Sequence, residues 1–309
     1  MSSQEYKKDK IVVVGAGSVG SAIAFSLLLS SISAEIELID LNAGLAKGNA
    51  LDLNDIQFLS HSKITDNTLE DSKGADIIII TAGAKQKPDE PRESLVSRND
   101  AILRSIVDKM GPNNPNAIWL LVANPVDTLT QLAQHITKLP HAKVIGSGTY
   151  LDSQRLRFTL SNLLNVNQNY IHCSVIGEHG DNQMIAWSSA RVGGQSLLSY
   201  EKMKECNLDE IGQNVMRKAY EIIKHKGATS FGIASCVTNI CKVILTDAHY
   251  IIPVSCYCEK YGLYLSMPAI LGRDGVKEVV YPEMNDEELA RLDNTVSTMK
   301  NTLAKLNLN

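Results

Sequence analysis

The chain has 309 residues, with 30 Lys+Arg against 34 Asp+Glu, a formal net charge of −4 at pH 7, 44% hydrophobic residues and 21% charged residues. That apolar content suits one or two globular domains with a large core and excludes disordered, collagen-like and low-complexity chains. A mildly acidic balance gives no electrostatic footprint for nucleic acid, and the apolar runs at 22–29 and 118–123 are too short to span a bilayer.

In chain order, residues 11–14 are an apolar, β-branched strand running into a glycine turn, and 18–31 a helix rich in Ala, Ile and Leu. A second strand at 35–39 is closed by Asp40, and 43–58 has helical spacing in Leu45, Leu51, Leu53 and Ile56. Segment 76–81 contains Ile77, Ile78, Ile79 and Ile80, the run expected of a parallel strand buried on both faces. Helix 93–110, strand 117–123, helix 126–138 and a short strand at 144–146 follow. Strands alternating with helices imply right-handed βαβ units and an α/β, Rossmann-type doubly wound parallel sheet.

After residue 146 the rhythm changes. We expect a helix at 152–165, strands at 171–176 and 184–192, and long helices at 208–225 and 230–245. An antiparallel pair at 251–258 and 263–271 and a closing amphipathic helix at 283–308 complete an α+β second domain. The expected division is 1–146 and 147–309, with a shared interface because no Pro/Gly/Ser-rich linker separates the halves. Residues 1–10 are polar and of mixed charge, so no targeting signal is expected. Six cysteines lie in the second half, without a CxxC pair. We expect buried free thiols in a reducing cytosol, with neither a disulfide framework nor a metal site.

Gly15-Ala16-Gly17-Ser18-Val19-Gly20 is a G-x-G-x-x-G loop. Alone it is a weak signal; following a strand and opening a helix it reads as a dinucleotide fingerprint. Gly15 permits the tight turn, Gly17 the approach of a pyrophosphate, and Gly20 close helix packing. Asp40 is placed to accept hydrogen bonds from ribose hydroxyls and to repel a 2′-phosphate, which favours NAD over NADP. The other reading is a glycine turn that binds nothing or a different nucleotide.

Gly177-Glu178-His179-Gly180-Asp181 presents an imidazole between glycines, suited to general acid/base work near neutral pH. Asp152 and Arg155 share a helix face. Either they form a simple surface ion pair, or Asp152 holds His179 while Arg155 clamps a carboxylate through two parallel hydrogen bonds. The charged segment 83–92 is either a solvated loop or a lid beyond the strand ends. Asn124, in Asn124-Pro125-Val126-Asp127, either caps a helix or contacts a ligand.

Together the glycine loop, the NPVD segment, LDSQRLR, GEHGD and the late LSMPAILG resemble the lactate/malate dehydrogenase family, from residue 11 to about 303. The resemblance implies NADH-dependent reduction of a 2-oxo acid, with His179 as proton donor/acceptor and Asp152 as its partner. Arg155 would bind the substrate carboxylate, Arg92 polarise the carbonyl on lid closure, Asn124 touch substrate and nicotinamide, and Thr229 line the pocket. Gly15, Gly17, Val19, Gly20, Asp40, Gly83, Ala84, Ser105, Val122, Asn124 and Ser147 form the implied NAD site.

Gln86 marks the branch acting on pyruvate/L-lactate; an Arg there would pair with the second carboxylate of oxaloacetate. The alternatives are a 2-hydroxyisocaproate-like or malate enzyme, or an inactive nucleotide-binding relative. Asp89 and Pro91 depart from the family lid, and 52–58 lacks its usual His-Gly. Arg157 and His172 match positions that bind fructose 1,6-bisphosphate at a subunit interface in regulated members. A cytoplasmic homotetramer or homodimer in fermentative glycolysis is the implied setting, with neither membrane nor nucleic acid as partner.

Overall fold

The computed structural model describes residues 8–30, 32, 34–84 and 92–305, with 92 and 93 described by their backbone alone. Its first half runs β1 (Asp9–Val14), α1 (Ser18–Leu29), β2 (Ala34–Ile39), α2 (Ala43–Asn54), β3 (Lys63–Asp66), β4 (Ile77–Ile80), α3 (Arg92–Met110), β5 (Ile118–Leu121), α4 (Val126–Thr137) and β6 (Val144–Gly146). The strands are parallel, in the order β3-β2-β1-β4-β5-β6. The order of winding reverses between β1 and β4, with β2 and β3 added on one side and β5 and β6 on the other, so their carboxyl ends frame the crevice where open α/β sheets take ligands. Both faces are covered. Ile11, Val13, Ile77 and Ile79 pack into one core and Val12, Val14, Ile78 and Ile80 into another, which explains the unbroken apolar runs.

The second half runs α5 (Tyr150–Leu164), β7 (Ile171–His172), β8 (Val175–Gly177), β9 (Gln183–Ile185), β10 (Arg191–Val192), β11 (Gln195–Ser196), α6 (Glu201–Lys204), α7 (Leu208–Lys226), α8 (Phe231–Leu245), β12 (Tyr250–Cys258), β13 (Leu263–Gly272), β14 (Gly275–Val279) and α9 (Asp286–Ala304). The sheet does not stop at β6. β12 joins it antiparallel through the pair Gly146 and Ser255, and β13, β8 and β9 extend it. One apolar core therefore runs from Ile11 and Ile23 to Leu265 and Met267. Across it α1 meets α8, where Thr238 Oγ1 donates to Ser26 Oγ at 2.9 Å.

Five expectations need correction. The strand at 171–176 is two short strands, β7 and β8, in different sheets. The helix at 43–58 stops at Asn54 and is followed by a 3₁₀ turn at Gln57–Leu59; Gln57 Nε2 donates to the Ser62 carbonyl and draws the chain into β3. The strand at 184–192 is two short strands in different sheets. Between them Glu288 Oε1 of α9 takes the Ser188 N–H, removing it from any ladder. The closing helix starts only at Asp286, where Asn285 and Glu288 form a reciprocal capping box. Finally, Cys206 is half-exposed, whereas the other five free cysteines are buried.

Gly146 is the joint of the whole sheet. A Cβ there would lie 2.4 Å from Thr130 Oγ1, 2.8 Å from Ser255 Cβ and 2.9 Å from Val126 Cγ2. Gly146→Ala is expected to destabilise the protein by about 1–3 kcal/mol, the usual range for overpacking. Urea unfolding measures this; an unchanged midpoint would show that β6 and β12 have room to part.

Candidate active site

The crevice between β1 and β4 opens on the glycine loop. Gly15 sits at φ +106°, and a Cβ on Gly20 would fall 1.7 Å from the Gly15 carbonyl oxygen, so both positions require glycine. A Cβ on Gly17 would meet nothing within 4 Å, leaving open space above the start of α1. That helix begins with Gly17 as its N-cap, without a side-chain cap and with no acid in its first turn. Its first N–H groups and positive dipole end suit a pyrophosphate. Asp40 accepts the Ala16 N–H at 2.7 Å and the Asn42 N–H at 2.8 Å. A carboxylate has about four lone-pair directions, so it retains capacity for ribose hydroxyls. These residues fit a dinucleotide.

Val19 and Val122 pack half-buried against the main core, and Ser147 is buried after β6, its N–H donating to the Leu121 carbonyl. Gly83 and Ala84 follow β4. They are held by Asn99, a residue that sequence reasoning missed: its Oδ1 accepts the Ala84 N–H at 2.7 Å, and its Nδ2 donates to the Asn124 carbonyl at 3.1 Å. Its signal was a polar residue on the buried stripe Leu95, Val96, Leu103 and Ile106. Ser105 instead stands exposed on α3, and no described contact joins it to the cradle. Thr229 is half-buried between α7 and α8. Gln86, Asp89, Pro91 and the Arg92 side chain lie outside the described residues.

Beyond the crevice, β8 ends at Gly177, with φ +98°, and delivers His179. Its Nδ1 lies 2.8 Å from Asp152 Oδ2, and Arg155 Nη1 donates to Asp152 Oδ1 at 3.2 Å. One turn of α5 therefore supplies both the partner of the imidazole and a guanidinium beside it. Asp152 is 3% exposed and Arg155 8%, but His179 keeps 26%, enough for a ligand to reach it. With Nδ1–H donating to the Asp152 carboxylate, Nε2 is the atom left to exchange a proton. A second carboxylate, missed as a site residue, fixes the backbone. Asp127 Oδ2 accepts the His179 N–H and Oδ1 accepts the Ser266 hydroxyl, both at 2.8 Å.

Burial alone would push the His179 imidazole down. The charge and hydrogen bond of Asp152, with help from Asp127, outweigh it and hold the ring above its ordinary value of 6.5. For Asp152 burial pushes upward, but His179 and then Arg155 outweigh it, so the carboxyl lies below its ordinary value. Asp127 is raised by burial despite the His179 N–H and its hydroxyl partner. Cys236 lies close by on α8; burial and Asp152 push its thiol up to about 12, so it stays protonated. Arg157 Nε donates to the carbonyl of Cys173, the residue after His172, at 3.3 Å.

Comparisons with known proteins cover nearly the whole chain. A family model described as lactate/malate dehydrogenase, NAD binding domain, matches residues 9–146. One described as lactate/malate dehydrogenase, alpha/beta C-terminal domain, matches residues 149–307. The chain is 43% identical to L-lactate dehydrogenase A of Rhizopus oryzae, covering 94% of this chain and 91% of that protein. It is 39% identical to L-lactate dehydrogenase of Lacticaseibacillus casei, covering 95% and 93%. The crystal structure of a minor L-lactate dehydrogenase from Enterococcus mundtii, in a ligands-bound form, superposes with a TM-score of 0.93 at 35% identity, covering 98% of this chain and 99% of that one. With its glycine cradle, its paired imidazole and carboxylate, and both family models matched, the chain belongs to the lactate/malate dehydrogenase family.

Proposed function

We propose that this protein is an NAD-dependent L-lactate dehydrogenase that interconverts pyruvate and L-lactate. The observation that carries the chemistry is the buried Asp152 carboxylate shared by His179 Nδ1 and Arg155 Nη1. The bound nicotinamide supplies or accepts the hydride at the substrate's second carbon. In pyruvate reduction, imidazolium His179 donates its Nε2 proton to the carbonyl oxygen; in lactate oxidation, neutral His179 takes that proton back. Asp152 fixes the tautomer and stabilises the imidazolium. Arg155 spends one N–H on Asp152 and offers its remaining donors to the substrate carboxylate, which sets the carbonyl against His179.

The family pattern assigns Arg92 to polarise the carbonyl, Gln86 to read the substituent beyond it, and Asn124 and Thr229 to line the pocket. The two matched family spans support a division at residue 146 into an NAD-binding and a substrate domain. The buried free thiols of Cys173, Cys236, Cys241, Cys256 and Cys258 suit a cytoplasmic setting. No described helix is long and apolar enough to cross a membrane.

A homo-oligomer is supported by large exposed apolar side chains on and just after α2 (Leu45, Leu51, Phe58 and Leu59), with others on α1 (Phe25 and Leu29). Arg157 and His172 are proposed to take a phosphate of fructose 1,6-bisphosphate across a two-fold axis. Sedimentation is expected to give a mass above the 33.8 kDa of one chain. Fructose 1,6-bisphosphate should strengthen that assembly in the wild type but not in Arg157→Gln. A single-chain mass with and without the effector would contradict both readings.

His179→Gln should lower turnover by at least ~10²-fold while NADH still binds. The reaction's pH dependence follows from the sign of the shift. Reduction needs the imidazolium, so kcat/KM for pyruvate is sustained below the raised His179 pKa and falls as pH rises through it. Asp152→Asn removes the opposing charge while burial remains, so this limb should move to lower pH. Stopped assays of NADH oxidation across pH check it; an unmoved limb would detach Asp152 from the proton transfer.

Gln86→Arg should raise kcat/KM for oxaloacetate and lower it for pyruvate. The introduced guanidinium would pair with the second carboxylate and stand unpaired against a methyl group. An oxaloacetate/pyruvate ratio unchanged within a factor of about three, under 1 kcal/mol, would remove Gln86 as the substrate reader.

A further inference from the structure

Three side chains clamp the two peptide groups at the tip of the glycine loop. Across the first, Thr81 Oγ1 donates to the Gly15 carbonyl at 3.0 Å, and Asp40 Oδ2 accepts the Ala16 N–H at 2.7 Å. Across the second, Asn49 Nδ2 of α2 donates to the Ala16 carbonyl at 3.0 Å. Ala16 itself is 1% exposed, so its carbonyl depends on a protein partner. In a trans peptide the C=O and the following N–H point in opposite directions. Holding the Ala16 carbonyl toward α2 therefore turns the Gly17 N–H away from α2, and a Cβ on Gly17 would meet nothing within 4 Å, so the tip of the loop is open to a ligand.

We propose that Asn49 is a positioning residue of the dinucleotide site: through the Ala16 carbonyl it aims the Gly17 N–H at the cofactor's pyrophosphate. The inference rests on the NAD reading above and names a residue outside the glycine loop and outside its acidic ribose partner. Asp40 thereby has a second task, since its Oδ2 orders the loop while its remaining acceptor capacity faces the ribose. Asn49 is half-buried on a helix flank, so its replacement does not open the core.

The test compares wild type, Asn49→Leu and Asn49→Gln, with inhibition constants for ADP-ribose and for adenosine measured in competition with NADH. ADP-ribose carries the pyrophosphate; adenosine carries only the ring and the ribose that Asp40 reads. Asn49→Leu, which keeps the shape and loses the donor, should weaken ADP-ribose and raise KM for NADH by about tenfold, in line with loss of a buried hydrogen bond. Adenosine binding, KM for pyruvate and kcat should stay within about twofold. Asn49→Gln, which keeps an amide donor, should recover part of the loss. An unchanged ADP-ribose constant, or an equal loss for adenosine, would overturn the role of Asn49. A wild-type protein that binds no NADH would overturn the cofactor reading beneath it, and this inference with it.

Discussion

Burying the Asp152 carboxylate in the first turn of α5 removes it from water, and among the described residues His179 and Arg155 compensate for that loss. Its two oxygens are divided between them, one on the imidazole Nδ1 and one on the guanidinium Nη1. In the proposed function each partner thereby serves a different part of a 2-oxo acid, the imidazole the carbonyl oxygen and the guanidinium the carboxylate. Breaking such a buried pair from one side leaves an uncompensated charge, which is why this arrangement is strongly specified. The same carboxylate raises the proton affinity of His179 against its burial, so one interaction sets both geometry and protonation.

That interaction depends on the two halves of the chain meeting in register. His179 comes from the second half, but its backbone N–H is held by Asp127 of α4, in the first. Asp127 in turn takes the Ser266 hydroxyl from β13. The joining of β6 and β12 at Gly146 and Ser255 brings α4 and β13 together behind the catalytic loop. The glycine cradle belongs to the same sheet, beyond the carboxyl end of β1. The glycine cradle and His179 thus stand on one continuous sheet, where a fixed distance between them is easiest to maintain.

The parts legible in the sequence carry their information locally. The four isoleucines of β4, the glycine loop and Asp40 at the end of β2 each declare a backbone requirement within a few residues. The edge strand β3 went unseen because only Ile64 of its four residues is buried. The break after β9 was hidden because a distant carboxylate, Glu288, causes it. The spacing of Asp152 and Arg155 fits a surface pair equally well; only the fold brings His179 to the other carboxylate oxygen. Asn99, Asp127 and Asn49 act through backbone groups of remote segments, and neither periodicity nor motif spacing encodes such partners.

The proposed proton transfer depends most directly on the proton affinity of one imidazole. NMR titration of the His179 ring, followed through its Cε1 and ring-nitrogen signals in the apo protein, measures it without turnover. The predicted result is an Nδ1-protonated neutral tautomer and a pKa above the ordinary 6.5. A value at or below 6.5, or a neutral form protonated on Nε2, would contradict the claim that Asp152 prepares His179 to deliver a proton.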